Sequence, residues 1–433
     1  MLTRMLPAHT DEGARVGGGA AEELDRVLQS RAVHAVFQPL VDLDTGVTVG
    51  FEALARGPAG SALANPAALF EAAYAAGRVA ELDWLCRATA LGTALNAGLS
   101  PDLFLFVNTE PQSTRASCPD DLRAAVIAGE RRLRVVMEVT ERAVTADPAG
   151  LLAAVARMRA AGCGIALDDV GADPASLAVM PFIRPDVIKL DLRLIQEHPD
   201  LRIARIVNAV RAHAERTGAR ILAEGIETPD HLDVARAMGA TIGQGWLFGR
   251  PGPLTPPPAP TRGLPHPLGA WTADGPPATA TTPFEVVAAH RPVGRSRKEL
   301  LLPMSRLLED NGLDADEPIV LIGCFQDVRH FTPHTRRRFA HLADTATFVG
   351  ALGAGMPADP APGVRGGELA RDDPLRGEWN VVAIGPHFAG ALVARDCGDS
   401  GPDRHRRFDY TITHDRELVI QAANTLLGRL API

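Results

Sequence analysis

Along the first 250 residues, short apolar runs of strand length alternate with longer stretches whose apolar residues recur at helical spacing. The strand-like runs are 35–40, 47–54, 103–108, 134–139, 164–168, 187–190, 220–223 and 243–247. Helical stretches at 66–76, 84–96, 148–161, 202–217 and 228–238 lie between them. Eight strands with intervening helices in this span predict a (β/α) TIM-like barrel in preference to an open doubly wound sheet. The pattern breaks between Thr255 and Thr282, where eight prolines are mixed with Ala, Thr and Gly, a composition that builds no packed core. Beyond it, apolar runs 319–325, 347–352, 379–384 and 389–394 alternate with helical stretches 298–311, 335–342 and 416–430, predicting a separate, smaller α/β domain. The expected organisation is a flexible leader at 1–20, a barrel at 21–254, a Pro-rich linker at 255–282 and a second domain at 283–433. The linker reaches at most ~85 Å as polyproline, so the halves need not touch rigidly, and Trp271 is expected to dock on one of them.

Composition narrows the partners. Of 433 residues, 46% are hydrophobic and 22% charged, as in a globular chain. The net charge of −8 argues against broad attraction to a nucleic-acid polymer or an anionic membrane. The longest apolar stretch, 381–394, is interrupted by Pro386 and His387 and is too short for a spanning helix. Five scattered cysteines with no Cys-x-x-Cys pair support neither a disulfide framework nor a zinc ribbon, and point to a reducing, cytoplasmic location.

The chemistry lies where the apolar runs stop. Glu52, Asn108, Glu138, Asp168-Asp169, and Glu224 with Glu227 each end or follow a predicted strand. In a barrel, side chains at those ends converge on one face. Any one of these acids could equally be a helix cap or a loop acid. Two carboxylates ~5 Å apart at an effective dielectric near 20 repel by roughly 3 kcal/mol, and Lys189 alone cannot neutralise five or six. Either several proton affinities rise or divalent cations fill the site. An all-oxygen ligand set without histidine selects Mg²⁺ or Mn²⁺ over zinc, and a cation pair suits phosphodiester cleavage.

The segments Gln38-Pro39, Phe51-Glu52-Ala53-Leu54-Ala55-Arg56, Asn108-Thr109-Glu110-Pro111, Glu138-Val139-Thr140-Glu141, Asp168-Asp169, Lys189-Leu190-Asp191, Glu224-Gly225-Ile226-Glu227 and Gln244-Gly245-Trp246 resemble, in order, the motifs of the EAL domain. That resemblance implies a barrel-fold, usually dimeric phosphodiesterase that linearises the bacterial second messenger cyclic di-GMP to pGpG with Mg²⁺ or Mn²⁺, two per site. It assigns Glu52, Asn108, Glu138 and Asp168 to a first metal, with Asp168 and Asp169 reaching the second. Glu224 and Lys189 match the groups that position or deprotonate the attacking water, and Glu227 supports them. Gln38, Leu54, Arg56, Asp191 and Gln244 match dinucleotide contacts. One loop departs from the family: Val170-Gly171-Ala172-Asp173-Pro174-Ala175-Ser176 replaces the usual Phe-Gly-Thr-Gly-Tyr-Ser-Ser. In the family this loop steadies the second metal and couples dimerisation to activity, with the residue matching Glu141 holding it. The departure implies weak or conditional catalysis.

In the second half, Pro283-Phe284-Glu285, Gly323-Cys324-Phe325-Gln326 and Leu375-Arg376-Gly377-Glu378-Trp379 resemble the DICT sensory domain, which implies sensing of a signal it does not identify. His330, His334 and His341 are expected to be solvated or core histidines, because Pro333 stops a helix from aligning them as ligands. The function expected from all this is cyclic di-GMP hydrolysis regulated by a sensor, in a homodimer formed through the barrel. The alternatives are a receptor that binds the dinucleotide without cleaving it, and hydrolysis of pGpG or another small phosphodiester.

Overall fold

The computed structural model describes residues 13–110, 113, 115–140, 147–173, 175–198, 200–255, 281–314 and 318–430. Glu141, Pro174 and Trp271, and with them the expectations about loop support and linker docking, lie outside these residues, as does 256–280 of the linker.

Eight strands close a barrel in chain order: β1 (His34–Asp42), β2 (Thr48–Arg56), β3 (Phe104–Asn108), β4 (Arg134–Val139), β5 (Gly164–Val170), β6 (Val187–Leu190), β7 (Arg220–Ala223) and β8 (Ile242–Gly243). β1 runs antiparallel to both β2 and β8, whereas neighbours from β2 to β8 are parallel. The eighth strand is shorter than the run 243–247 suggests, because the chain after Gly243 turns through Gly245 and Gly249. The helices are α1 (Gly13–Ser30), α2 (Pro66–Ala75), α3 (Val79–Asn96), α4 (Asp120–Arg132), α5 (Pro148–Ala160), α6 (Ala175–Ile183), α7 (Leu192–Gln196), α8 (Leu201–Thr217) and α9 (Pro229–Ala237). Their starts follow local rules: Asn65, Asp147 and Thr228 each cap a helix whose first residue is proline. Helix α1 begins at Gly13, inside the segment expected to be a leader. Leu24, Val27 and Leu28 anchor it in the core at helical spacing.

The barrel interior explains the site. Side chains alternate along a strand, so residues two apart share a face. Leu40, Phe104, Phe106, Val136, Ala166, Val187, Leu222 and Ile242 plug the barrel as one apolar cluster. Two positions beyond six of them, on six different strands or their ends, stand Asn108, Glu138, Asp168, Lys189, Glu224 and Gln244. Gln38 lies two residues from Leu40 on the antiparallel β1, opposite Glu52 of β2. Two residues before Glu52 is Gly50, where a Cβ would come within 2.6 Å of the Phe104 carbonyl oxygen, so no larger side chain fits there. The plug is thus capped by a layer that is polar throughout.

The second domain is a seven-stranded sheet in the order β12-β11-β10-β13-β14-β15-β9. Its strands are β9 (Gly294–Arg297), β10 (Val320–Asp327), β11 (Phe348–Ala354), β12 (Val364–Glu368), β13 (Glu378–Ile384), β14 (Ala389–Asp396) and β15 (Arg407–Thr413). Helices α10 (Pro283–Ala288) and α13 (Arg416–Leu427) cover one face, and α11 (Lys298–Asp314) and α12 (Pro333–Ala343) the other. Pro333 is the first residue of α12, capped by Thr332, so it starts a helix instead of interrupting one. His330 stays in the preceding turn, while His334 and His341 are exposed.

The halves do touch. Ala178 and Phe182 of α6 are buried in the same core as Phe284, Leu418 and Ile420 of the second domain. Arg184 pairs with Glu417 at 2.9 Å, and Asn208 of α8 lies 3.3 Å from His387. Among the described residues, no helix is long and apolar enough to cross a membrane.

Candidate active site

Glu52, Glu138, Asp168 and Glu224 come from β2, β4, β5 and the end of β7, and all four converge on one ammonium. Lys189 Nζ lies 2.6 Å from Glu138 Oε1, 2.8 Å from both Asp168 Oδ1 and Glu224 Oε1, and 3.6 Å from Glu52 Oε2. The lysine side chain is 1% exposed. Asn108 Nδ2 donates to Glu52 Oε1 at 3.3 Å. Gln244 Nε2 donates to Glu52 Oε2 at 2.6 Å and to Gln38 Oε1 at 3.0 Å.

Asp169 joins this group through the backbone. Successive strand residues normally point to opposite faces, but the β5–β6 register shifts between Leu167 and Val170, and Asp169 adopts φ 53°. This conformation is one that Asp tolerates better than most residues. Asp168, Asp169 and Glu224 thereby offer carboxylate oxygens that all lie within 4.8 Å of one another.

The electrostatics show that one ammonium is not enough. Burial lowers the proton affinity of Lys189, but Asp168, Glu138, Glu224 and Glu52 outweigh it and hold the lysine well above its ordinary range. Burial pushes Glu138 well up, with Glu52 adding and Lys189 opposing. Glu224 is raised to about 8, first by burial, with Asp168 and Glu52 adding against Lys189. Asp169 is raised by burial and by Asp168. Glu138 Oε2 is buried without a hydrogen-bond partner among the described residues, an expensive arrangement for an acceptor. An orphaned acceptor amid hard oxygen donors fits a divalent cation, and Glu52, Asn108, Glu138, Asp168, Asp169 and Glu224 are the groups able to hold one.

The remaining residues sit around this centre. Gln38 is buried and also donates to the Gly249 carbonyl. Leu54 and Arg56 are half-buried at the end of β2, with Arg56 donating to the Ala55 carbonyl and feeling the Glu52 charge. Asp191 caps α7, accepting from the Arg193 backbone and guanidinium, which commits one of its oxygens. Glu227 is exposed, and its backbone N–H donates to His231; no contact brings its side chain to Lys189 or Glu224 among the described residues. In the atypical loop, Ser176 Oγ accepts from Gly171 N–H at 3.3 Å and donates to the Asp173 carbonyl at 2.7 Å, so the loop is closed by its own serine. Arg193 was not legible as a site residue: its charge acts on Asp191 and Asp169, yet a cation two residues past an acid carries no distinctive signal.

Residues 21–251 match the EAL domain, and residues 285–396 match the DICT domain, described as a sensory domain in diguanylate cyclases and two-component systems. Over 239 residues the chain is 30% identical to cyclic di-GMP phosphodiesterase NbdA of Pseudomonas aeruginosa, covering 54% of this chain and 30% of that protein. It is also 30% identical to cyclic di-GMP phosphodiesterase RocR of the same organism, covering 53% and 59%. The chain therefore spans less than two thirds of the length of these relatives. A solved manganese and cyclic di-GMP complex of Klebsiella pneumoniae BlrP1 aligns with a TM-score of 0.45 at 29% identity, over 51% of this chain and 56% of that one.

Proposed function

Because the chain belongs to the EAL domain family, we propose that its barrel is a metal-dependent phosphodiesterase opening cyclic di-GMP to linear pGpG. The observation that carries this reading is the convergence of carboxylates from β2, β4, β5 and β7 on one buried point at the same end of the barrel. Glu52, Asn108, Glu138 and Asp168 would hold one Mg²⁺ or Mn²⁺, and Asp168 and Asp169 the second. When bound, such cations supply Lewis acidity toward the phosphate and lower the pKa of water.

The chain's own residues supply the rest. Hydrolysis joins a water oxygen to phosphorus and breaks one P–O3′ bond; the water proton needs an acceptor and the departing oxygen a proton. Glu224, with its proton affinity raised and Lys189 at 2.8 Å, is suited to take the water proton. Lys189 fixes that carboxylate; for Glu227 to support this pair, its side chain, exposed here, would have to turn toward them. Gln38, Leu54, Arg56, Asp191 and Gln244 are assigned to the dinucleotide, Arg56 through its planar fork. Glu141 is assigned to the loop after Asp169.

The domain limits follow the same reading, with catalysis in 21–254 and sensing in 283–433, joined by 255–282. Burial of α6 in the second domain's core gives the sensor a grip on the segment after Asp169. A homodimer through the barrel is part of the proposal, as is a cytoplasmic location, the latter supported by five cysteines that are all free. A second reading, a receptor that binds without cleaving, is favoured by the self-closed loop Gly171–Ser176, where Ala172 offers no side-chain hydrogen bond.

Purified protein incubated with cyclic di-GMP and Mn²⁺ or Mg²⁺ separates the two. Release of pGpG that is lost in Glu52→Ala and Glu224→Ala is the expected result; tight binding with no pGpG would establish the receptor instead.

A further inference from the structure

We propose that α11 is a self-association surface, through which two copies of this chain pair antiparallel about a two-fold axis. The helix has two apolar faces. Leu301 and Leu308 pack inward against Trp379, Leu392 and Phe408 of the sheet. On the adjoining flank, roughly a quarter-turn round the helix, Leu300, Met304 and Leu307 are 61%, 43% and 58% exposed, and Pro303 is exposed between them. Spacings of three and four place these residues on one line of the helix surface, a second seam with nothing of its own sheet left to cover.

The charges at the ends of that line identify the occupant. At the helix entry, as the last residue of β9 directly before Lys298, is the exposed Arg297, 3.8 Å from Glu299, and three residues past Leu307 on the helix is the exposed Asp310. A cation at a helix N-terminus and an anion toward its C-terminus oppose the helix dipole. The same placement is complementary to an antiparallel copy. With Leu300 against the partner's Leu307, Pro303 meets the partner's Met304, and Arg297 meets the partner's Asp310, each contact occurring twice by symmetry. The surface beside Arg297 agrees: a shallow depression of about 280 Å³ is lined by Arg295, Ser296, Arg297, Leu300 and Arg407. Arg295 and Arg407 are fixed there by Asp409 and Asp399. An Arg-lined hollow of this kind suits the acidic, carbonyl-exposing end of a helix. β9 is the edge of the sheet, so nothing beyond it in the sheet obstructs the approach.

Sedimentation velocity of the full chain over a range of concentrations tests the proposal. The wild type is expected to associate reversibly, as a further step above any pairing through the barrel. Met304→Lys should weaken that step by about tenfold or more, the effect of losing ~1.4 kcal/mol. Arg297→Glu should weaken it as well, and Arg297→Glu with Asp310→Arg should restore it. All these positions are exposed, so unchanged melting temperatures confirm that folding is not what is being read. A wild type that stays monomeric, association untouched by Met304→Lys, or a double variant as weak as Arg297→Glu would overturn the interface.

Discussion

Glu138 in the barrel and Glu378 in the second domain are both 1% exposed, yet their surroundings are opposite. Glu378 accepts from the Phe284 backbone and from Asn380, and an Arg395 guanidinium lies at 3.4 Å. Its partners are mostly neutral donors aimed at its oxygens, and together they tie the exit of the linker to the sheet. Glu138 shares one ammonium with three other carboxylates and, among the described residues, has an oxygen with no partner. A buried acid alone therefore says little about function. A satisfied acid is architecture, and an unsatisfied one among like charges is a site awaiting positive charge.

Substitution at the two positions should separate these roles. Glu138→Gln is expected to reduce pGpG formation by about a thousandfold, equivalent to ~4 kcal/mol at the transition state. Metal-free stability should hold or rise, since a like charge is removed. A lower melting temperature with intact hydrolysis would reverse the assignment. Glu378→Ala should do the opposite, lowering stability by about 3 kcal/mol in denaturant titrations because three donors lose their acceptor.

A smaller effect probes the contact between the halves. Burial, with Arg216, Arg416 and Arg184 adding, lowers the His213 pKa to about 3. The folded state thus binds its proton less readily than the unfolded chain. Stability linked to His213 is complete above the unfolded value near 6.5 and declines as the pH falls from there toward 3. Between pH 7 and 5 the loss should be about 2 kcal/mol. His213→Leu should flatten that part of the stability profile, and an unchanged slope would contradict the burial argument.

Much of the barrel is readable from the sequence because the period-two pattern and the site coincide. An apolar plug residue followed two positions later by an acid, amide or lysine occurs on six strands or their ends, and several of the intervening helices carry a start signal, a capping Asn65, Asp147 or Thr228 before proline. The antiparallel course of β1 is not readable, since direction leaves no trace in alternation. Nor is the second acid's route into the site, which depends on the positive φ of Asp169. In the second domain, β9 reads Gly-Arg-Ser-Arg and β12 Val-Arg-Gly-Gly-Glu, edge strands without an apolar face. β15 does alternate through Phe408, Tyr410 and Ile412, a usable signal. The contact between halves also had one: from Leu177 to Ile183 the chain is apolar all round, and such a helix is buried on more than one side.

The central claim is that oxygen donors gathered around Lys189 bind hard divalent cations. Calorimetric titration of Mn²⁺ into the full chain, with and without cyclic di-GMP, tests it most directly. Saturable uptake that is abolished or greatly weakened in Glu138→Gln is the predicted result. No uptake in either condition, or equal uptake by the variant, would contradict it.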